Sequence, residues 1–247
     1  MAGDQYRLYG EMAGWWPLIS PLAEYADDAA VITAVFASAA TPVRTVLDLG
    51  SGGGHVAWHL QPGRSLTLVD LSAGMLAVSR QLNPEAVHVA ADMRTLRLGQ
   101  VFDAVLVHDA IDYITSREDL RQVIGTAFAH CKPGGLAVFA PDHTAETFRP
   151  GTGSGGSSDP AGRQASFRER TTDPEPGDDW ILAEYEFTLR EPDGTVRVVP
   201  EAHRLGSFGR DTWLRQLTEA GFEAGTAPGI DTGGRARRVL FVGRRRR

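Results

Sequence analysis

Val46-Leu47-Asp48-Leu49-Gly50-Ser51-Gly52-Gly53-Gly54-His55 is an apolar run that opens straight into a glycine-rich turn. Thr45–Leu49 has the composition of a buried strand, and Val56–Leu60 continues as a short helix. Glycines at 50, 52 and 54 permit positive φ and let a ligand approach backbone where a Cβ would collide. The turn departs from G-x-G-x-x-G, because position 55 is His. Asp48 constrains the ligand further. A carboxylate two residues before the turn repels a pyrophosphate, but it stabilises a group carrying ammonium or sulfonium charge.

The pattern repeats outward from this turn. Leu66–Val69, Val87–Ala90, Phe102–Val107 and Leu136–Ala140 read as strands, and Ala73–Leu82 and Glu118–His130 as helices. Ser116 with Asp119 resembles a capping box, and Lys132-Pro133-Gly134-Gly135 stops the last of these helices. Strand–helix alternation of this kind predicts an α/β fold, a doubly wound, mostly parallel sheet covered on both faces. The sequence predicts a single domain over 1–247. It divides into an N-terminal helical cap at 1–44, a ligand-binding core at 45–143, a flexible loop and antiparallel insertion at 144–208, and a last helix and strands with an Arg-rich tail at 209–247. Gly151–Gly162 reads as a flexible loop. Ile181–Arg190 alternates apolar and polar residues, Glu191-Pro192-Asp193-Gly194 supplies a turn, and Thr195–Leu205 returns, so the insertion is expected to be an antiparallel β-hairpin lid. Arg210–Ala220 is the last helix, and Arg238–Val242 the last strand.

Composition narrows the function. Apolar residues at 42% and charged residues at 23% are globular values. A single cysteine, Cys131, excludes an intrachain disulfide framework and a Cys-rich zinc module. The opening residues carry an acid and lack an apolar core, so a cytoplasmic protein with no membrane segment is expected. The net charge of −6 hides an asymmetry. Seven basics, Arg235, Arg237, Arg238 and Arg244 to Arg247, fall in the last thirteen positions, leaving 18 basics against all 31 acids in the first 234 residues. An acidic body disfavours phosphate backbones, and a nucleic-acid partner is not expected. The tail reads either as a solvated terminus or as a contact for nucleic acid or membrane. His55 and His59 share a helical face without a third ligand, so no metal site is expected. The nucleophile elbow G-x-S-x-G is absent.

Three acids mark the ends of successive strands: Asp48, then Asp70 in Leu68-Val69-Asp70-Leu71-Ser72, then Asp92 in Ala91-Asp92-Met93-Arg94. An acid at position 70 can accept both hydroxyls of a ribose, and one at 92 can accept from an exocyclic amine. Together with Phe102–Val107 and Lys132-Pro133-Gly134-Gly135, these motifs resemble the class I S-adenosylmethionine-dependent methyltransferases, of the small-molecule, secondary-metabolite type. The resemblance is closest over Tyr6–Ala140. It implies a Rossmann-like methyltransferase fold, S-adenosylmethionine as cofactor and S-adenosylhomocysteine as product. It implies further that Asp48 and Gly50 lie by the methionine amino group, that Gly52 and Gly54 let the backbone approach, and that Asp70 holds the ribose. Leu71 and Met75 would flank adenine, Asp92 and Met93 read its edge, and His108 face the methionine part. Tyr6, Tyr9 or Tyr25 would close over the cofactor, with Tyr9 the choice.

The acceptor is less determined. A general base is expected from His108, Asp112, His143 or His203, with His143 and His203 foremost because they lie beyond the cofactor. His-Asp-Ala-Ile-Asp-Tyr after the fourth strand lacks the Asn/Asp-Pro-Pro-Tyr/Phe motif of nucleic-acid amino-methylating members, which points to a small-molecule acceptor. Trp15, Trp16, Trp180, Tyr185 and Phe187 are candidates to line its pocket. The layout looks like that of aminosugar N-methyltransferases, and amine nitrogen is preferred. Methylation of oxygen or ring carbon, or S-adenosylmethionine chemistry other than methylation, stays open. A monomer or homodimer is expected.

Overall fold

A computed structural model describes residues 6–229 and 238–247. Two sheets organise the chain. The larger comprises β1 (Thr45–Leu49), β2 (Ser65–Asp70), β3 (Val87–Ala90), β4 (Phe102–His108), β5 (Cys131–Ala140), β10 (Phe222–Pro228) and β11 (Val239–Arg245), in the order β10-β11-β5-β4-β1-β2-β3. Strands β1 to β5 pair in parallel, while β11 runs antiparallel to β5 and to β10. The strand order reverses between β1 and β4, where a doubly wound sheet opens its ligand crevice.

The helices follow from the apolar spacing. Helices α2 (Ala26–Ala37) and α3 (His55–Leu60) bury Ile32, Phe36, Val56 and Leu60 against one face of the sheet. Helix α5 (Arg117–His130) covers the other, with Leu120, Val123 and Ile124 fully buried. Helix α6 (Arg210–Glu219) covers the same face through Trp213, whose ring stacks on Phe241 at 4.7 Å. Helix α4 (Ala73–Leu82) is capped by Ser72, which accepts from the Met75 N–H, and α5 by Ser116, which accepts from Asp119 N–H. Lys132–Gly135 bulges within β5, since its register with β4 shifts between Phe102 and Ala104.

The insertion differs from the expected hairpin. It is a four-stranded antiparallel sheet of β6 (Gly151–Ser158), β7 (Gln164–Thr172), β8 (Trp180–Arg190) and β9 (Val196–Gly206). The segment read as a flexible loop is its edge strand, paired with β7 from Gly151↔Thr171 to Ser158↔Gln164. A Gly/Ser strand carries no alternating side chains, so periodicity cannot reveal it. Here the small residues serve close packing: a Cβ on Gly156, at φ +129°, would collide with Ala165 O. Strand β10 has no bounds in the sequence reading, because Phe-Glu-Ala-Gly-Thr-Ala-Pro has little apolar alternation.

The N-terminal cap consists of α1 (Trp16–Ile19), α2 and two 3₁₀ turns, Ala13–Trp15 and Leu22–Tyr25. Leu8, Met12, Trp15, Leu18 and Ile19 pack on Phe187, Leu189 and Val199 of the small sheet. The cap is therefore held between the two sheets at the crevice.

Candidate active site

A cavity of about 780 Å³ opens at the carboxyl ends of β1, β2 and β4, within the ~300–1,000 Å³ usual for small-molecule sites. Its floor is the glycine turn, where Gly50, Gly52 and Gly54 all take positive φ. A side chain at Gly50 would collide with Ala110 Cβ. Gly52 N–H donates to Asp70 Oδ2 at 2.8 Å and Ser72 N–H to Asp70 Oδ1 at 2.8 Å, which aims the carboxylate across the cavity. Asn83, just past the end of α4, donates its Nδ2 to Gly54 O at 3.0 Å.

Asp48 is buried, lines the cavity, and its Oδ1 has no hydrogen-bond partner. Burial, with Asp70 and Asp109 nearby, pushes its carboxyl up to about 7 although His108 opposes the shift. A buried carboxylate without a donor suits a cationic group and would repel a phosphate. Leu71, Met75, Asp92 and Met93 line the same cavity. Asp92 is engaged by Arg94, whose Nη2 lies 2.7 Å from Oδ2 and whose Nη1 reaches Asp119 at 3.3 Å.

His108 lines the cavity within a charge cluster. Its Nε2 lies 3.3 Å from Asp28, its Nδ1 3.3 Å from Asp109, and Arg238 Nη1 stands 3.3 Å from Nε2. Arg238 also bonds Asp109 at 2.9 Å and contacts Asp142. Burial alone would lower the His108 pKa, but Asp109 and Asp28 outweigh it and raise it. Asp109 carries φ +45°, the one positive φ outside glycine among the described residues, and Arg238 and His108 hold it there.

The four candidate bases part company here. Asp112 is buried away from the cavity lining and accepts from Asp142 N–H at 3.0 Å. Burial, then the nearby Asp142, raises its carboxyl well above the ordinary value. His143 is also outside the lining, edge-on to Phe148 at 5.5 Å. His203 is fully buried behind the wall, with Nδ1 2.9 Å from the Tyr113 hydroxyl. Only His108 reaches the cavity directly.

The cap closes the cavity from above. Tyr6, Tyr9, Trp16 and Tyr25 line it. Trp16 Nε1 donates to His55 Nδ1 at 2.8 Å and Ser72 Oγ to Tyr9 O at 2.5 Å. His55 is thereby an acceptor, kept neutral by burial, which lowers its pKa to about 4. His59 bonds Leu22 O at 3.0 Å, and the described residues hold no metal-binding group of three. Of the five aromatics expected around an acceptor, Trp16 alone lines the cavity. Trp15, Tyr185 and Phe187 pack the small sheet, and Trp180 stacks under Arg204.

Sequence reasoning passed over Tyr113 and Glu201, both of which line the cavity. The signal for Glu201 lay in register: Val199, Glu201, His203 and Leu205 share the inward face of β9, so two polar residues interrupt an apolar face.

Residues 46–135 match the family model of a methyltransferase domain. The whole chain is similar to a Streptomyces fradiae dTDP-3-amino-3,6-dideoxy-alpha-D-glucopyranose N,N-dimethyltransferase, 28% identical over 246 residues, covering 98% of this chain and 94% of the relative. Among solved structures, DesVI of Streptomyces venezuelae superposes with TM-score 0.79 at 26% identity, covering 90% of this chain and 92% of that one. CalS10 from Micromonospora echinaspora, an amino pentose methyltransferase involved in calicheamicin biosynthesis and solved with bound S-adenosylmethionine, superposes with TM-score 0.75 at 26% identity, covering 90% and 91%. Glycine cradle, strand-end acids and strand order together define a class I S-adenosylmethionine-dependent methyltransferase. The protein is a small-molecule enzyme of that class, and S-adenosylmethionine is its cofactor.

Proposed function

We propose that this protein methylates the amino group of a nucleotide-linked amino sugar. The observation that carries the reading is the end-to-end similarity to a dTDP-amino-sugar N,N-dimethyltransferase. The cavity supports it: beyond the glycine turn its wall presents the hydroxyl and carboxylate groups of Tyr6, Tyr9, Tyr113 and Glu201. A polar amine suits such a wall better than an apolar ring does.

The residues present fit S-adenosylmethionine. Asp48, with an unpartnered buried oxygen, would face the cationic methionine part, and Asp70, already oriented by two backbone amides, would hold the ribose. Leu71, Met75 and Met93 would enclose adenine, and Asp92, largely occupied by Arg94, would contribute at its edge. When bound, the cofactor supplies a methyl group activated by its sulfonium charge. The chain's own work is alignment and exclusion of water. Glu201 accepts the Arg7 and Leu8 amides at 2.5 and 3.1 Å, and so pins the cap over the cavity. The described residues include no helix long and apolar enough to cross a membrane, and a cytoplasmic setting, where the cofactor is available, fits this reading.

The test is incubation of the protein with S-adenosylmethionine and dTDP-3-amino-3,6-dideoxyglucose, beside the same sugar nucleotide bearing a hydroxyl at that carbon. Mass spectrometry is expected to find one or two methyl groups on nitrogen and none on the hydroxyl compound. Methylation of the hydroxyl compound, or of neither, overturns the reading.

A further inference from the structure

A hydrogen-bonded chain leads from the cavity wall into the protein. The Tyr113 hydroxyl lies 2.5 Å from that of Tyr9 and 2.9 Å from His203 Nδ1. His203 Nε2 lies 3.5 Å from Glu201 Oε2. Tyr9, Tyr113 and Glu201 line the cavity, whereas His203 does not. The imidazole therefore meets the cavity through two lining groups, the Tyr113 oxygen at Nδ1 and the Glu201 carboxylate at Nε2, and of these only Tyr113 is within hydrogen-bond distance.

We propose that Tyr113, His203 and Glu201 form a proton relay that takes the proton an acceptor amine loses on methylation. The proposal rests on the amine reading above. As the nitrogen–methyl bond forms and the carbon–sulfur bond breaks, the nitrogen becomes an ammonium. Its N–H bond then breaks toward Tyr113 Oη, and the hydrogen that Tyr113 carried passes to His203 Nδ1. The imidazolium so formed is held against Glu201, and the proton returns to solvent between turnovers. Tyr113 is the catalytic group, and His203 and Glu201 act through it.

The relay requires one assignment of the hydrogens along this chain. A neutral His203 with its proton on Nε2 accepts from Tyr113 at Nδ1 and leaves that Nε2–H on the side of the Glu201 carboxylate, 3.5 Å away and without a hydrogen bond until the ring is charged. In that assignment Tyr113 donates inward and accepts from Tyr9, which leaves its second lone pair for the acceptor. The groups facing the imidazole are few: rings of Tyr6 at 4.1 Å, Tyr185 at 5.0 Å, Tyr113 at 5.7 Å and Tyr9 at 6.1 Å, with Glu201 on its own strand. Tyr185 donates to Glu169 and takes no part in the chain. Burial lowers the His203 pKa against the pull of Glu201, so the ring is neutral at pH 7 and able to accept. Burial raises the pKa of Tyr113 well above the ordinary value, so it passes a proton on rather than ionising.

The experiment compares His203→Gln, Tyr113→Phe and the double variant with S-adenosylmethionine and dTDP-3-amino-3,6-dideoxyglucose. Each single change is expected to lower kcat by about 100-fold while leaving the KM for S-adenosylmethionine within a few-fold and lowering the melting temperature only by the few degrees that a lost buried hydrogen bond costs. The double variant is expected to be no slower than either single, as for residues acting as one unit. In all three, kcat should climb with pH, because the amine then gives its proton to solvent base. Additive losses, or a wild-type kcat and pH profile in Tyr113→Phe, which keeps the ring and its packing, overturn the relay. A second readout needs no acceptor: ¹⁵N NMR of the imidazole is expected to place the neutral proton on Nε2, and a proton on Nδ1 overturns it. Absence of wild-type turnover with that imidazole tautomer intact would count against the amine reading instead.

Discussion

Asp48, the residue before the end of β1, has one carboxylate oxygen buried and unpartnered, and burial there pushes its carboxyl up to about 7. An ordinary aspartate titrates near 4 in the unfolded chain. Because the folded value is the higher one, the unliganded protein loses stability as pH rises from about 4 to about 7. A cationic ligand reverses the balance, since it binds the carboxylate form. Affinity for S-adenosylmethionine is therefore expected to rise with pH up to about 7 and then level, with a proton released on binding below that value. Calorimetry at pH 6 and pH 8, in buffers of different ionisation heat, checks this. Asp48→Asn should abolish the proton release, weaken binding by about 1.5–3 kcal/mol, the worth of a charged hydrogen bond, and remove the Asp48 share of the pH-dependent loss of stability, to which the raised carboxyls of Asp70, Asp109 and Asp112 also contribute. An Asp48→Asn variant that still releases a proton would assign the titration elsewhere. The carboxylate was legible in the sequence because it stands at a fixed offset from the glycine turn. Tyr113 and Glu201 were not, because their importance comes from β9 returning to Tyr113, a contact between residues 90 apart in the case of Tyr113 and His203.

At the scale of elements, legibility followed side-chain periodicity. Strands β1, β2 and β4 and helix α5 announce themselves through apolar spacing and caps, and the structure places them within a residue or two of the reading. Strand β6 is Gly-Thr-Gly-Ser-Gly-Gly-Ser-Ser, where neither burial pattern nor propensity speaks, and its pairing is decided entirely by β7. The cap depends on it, for Ser157 Oγ donates to Leu18 O at 3.0 Å and Leu18 belongs to the cluster under the small sheet. Gly156→Val is accordingly expected to destabilise the protein by about 2 kcal/mol or more, through a strained φ and overpacking. Thermal melting measures the loss, and hydrogen exchange should show faster exchange of β7 amides from Ala165 to Arg170 while β1 and β4 keep their protection. Uniformly faster exchange across both sheets would mean that the insertion does not yield as a local unit.

Across the whole molecule, the charge asymmetry read from the sequence takes a different meaning once the chain is folded. Arg235 and Arg237 lie outside the described residues, but Arg244 and Arg245 belong to β11 and Arg238 and Arg246 flank it with partners of their own. Arg238 joins the cluster with Asp109 and Asp142 beside the cavity. Arg244 and Arg245 are the last residues of β11, paired with Glu223 and Phe222. Arg244 donates to Ser38 O and Oγ at 3.1 and 2.8 Å, and Arg245 to Phe128 O and Cys131 O at 2.9 and 2.6 Å. The Arg245 guanidinium also covers the Phe128 ring at 4.4 Å, and Arg246 pairs with Glu223 at 2.9 Å. A free basic tail would behave as a salt-sensitive anchor for phosphates; this one is a clasp joining β11 to the ends of α2 and α5. Deleting Arg244 to Arg247 removes that clasp and two rungs of the β10–β11 ladder, a loss of about 2–4 kcal/mol. For a domain of this size that corresponds to a drop of roughly 5–15 °C in Tm. Scanning calorimetry is expected to show it, and titration with single-stranded RNA should give equally weak binding with and without the four residues. A deletion that leaves Tm unchanged but abolishes salt-sensitive RNA binding would return the tail to the solvent.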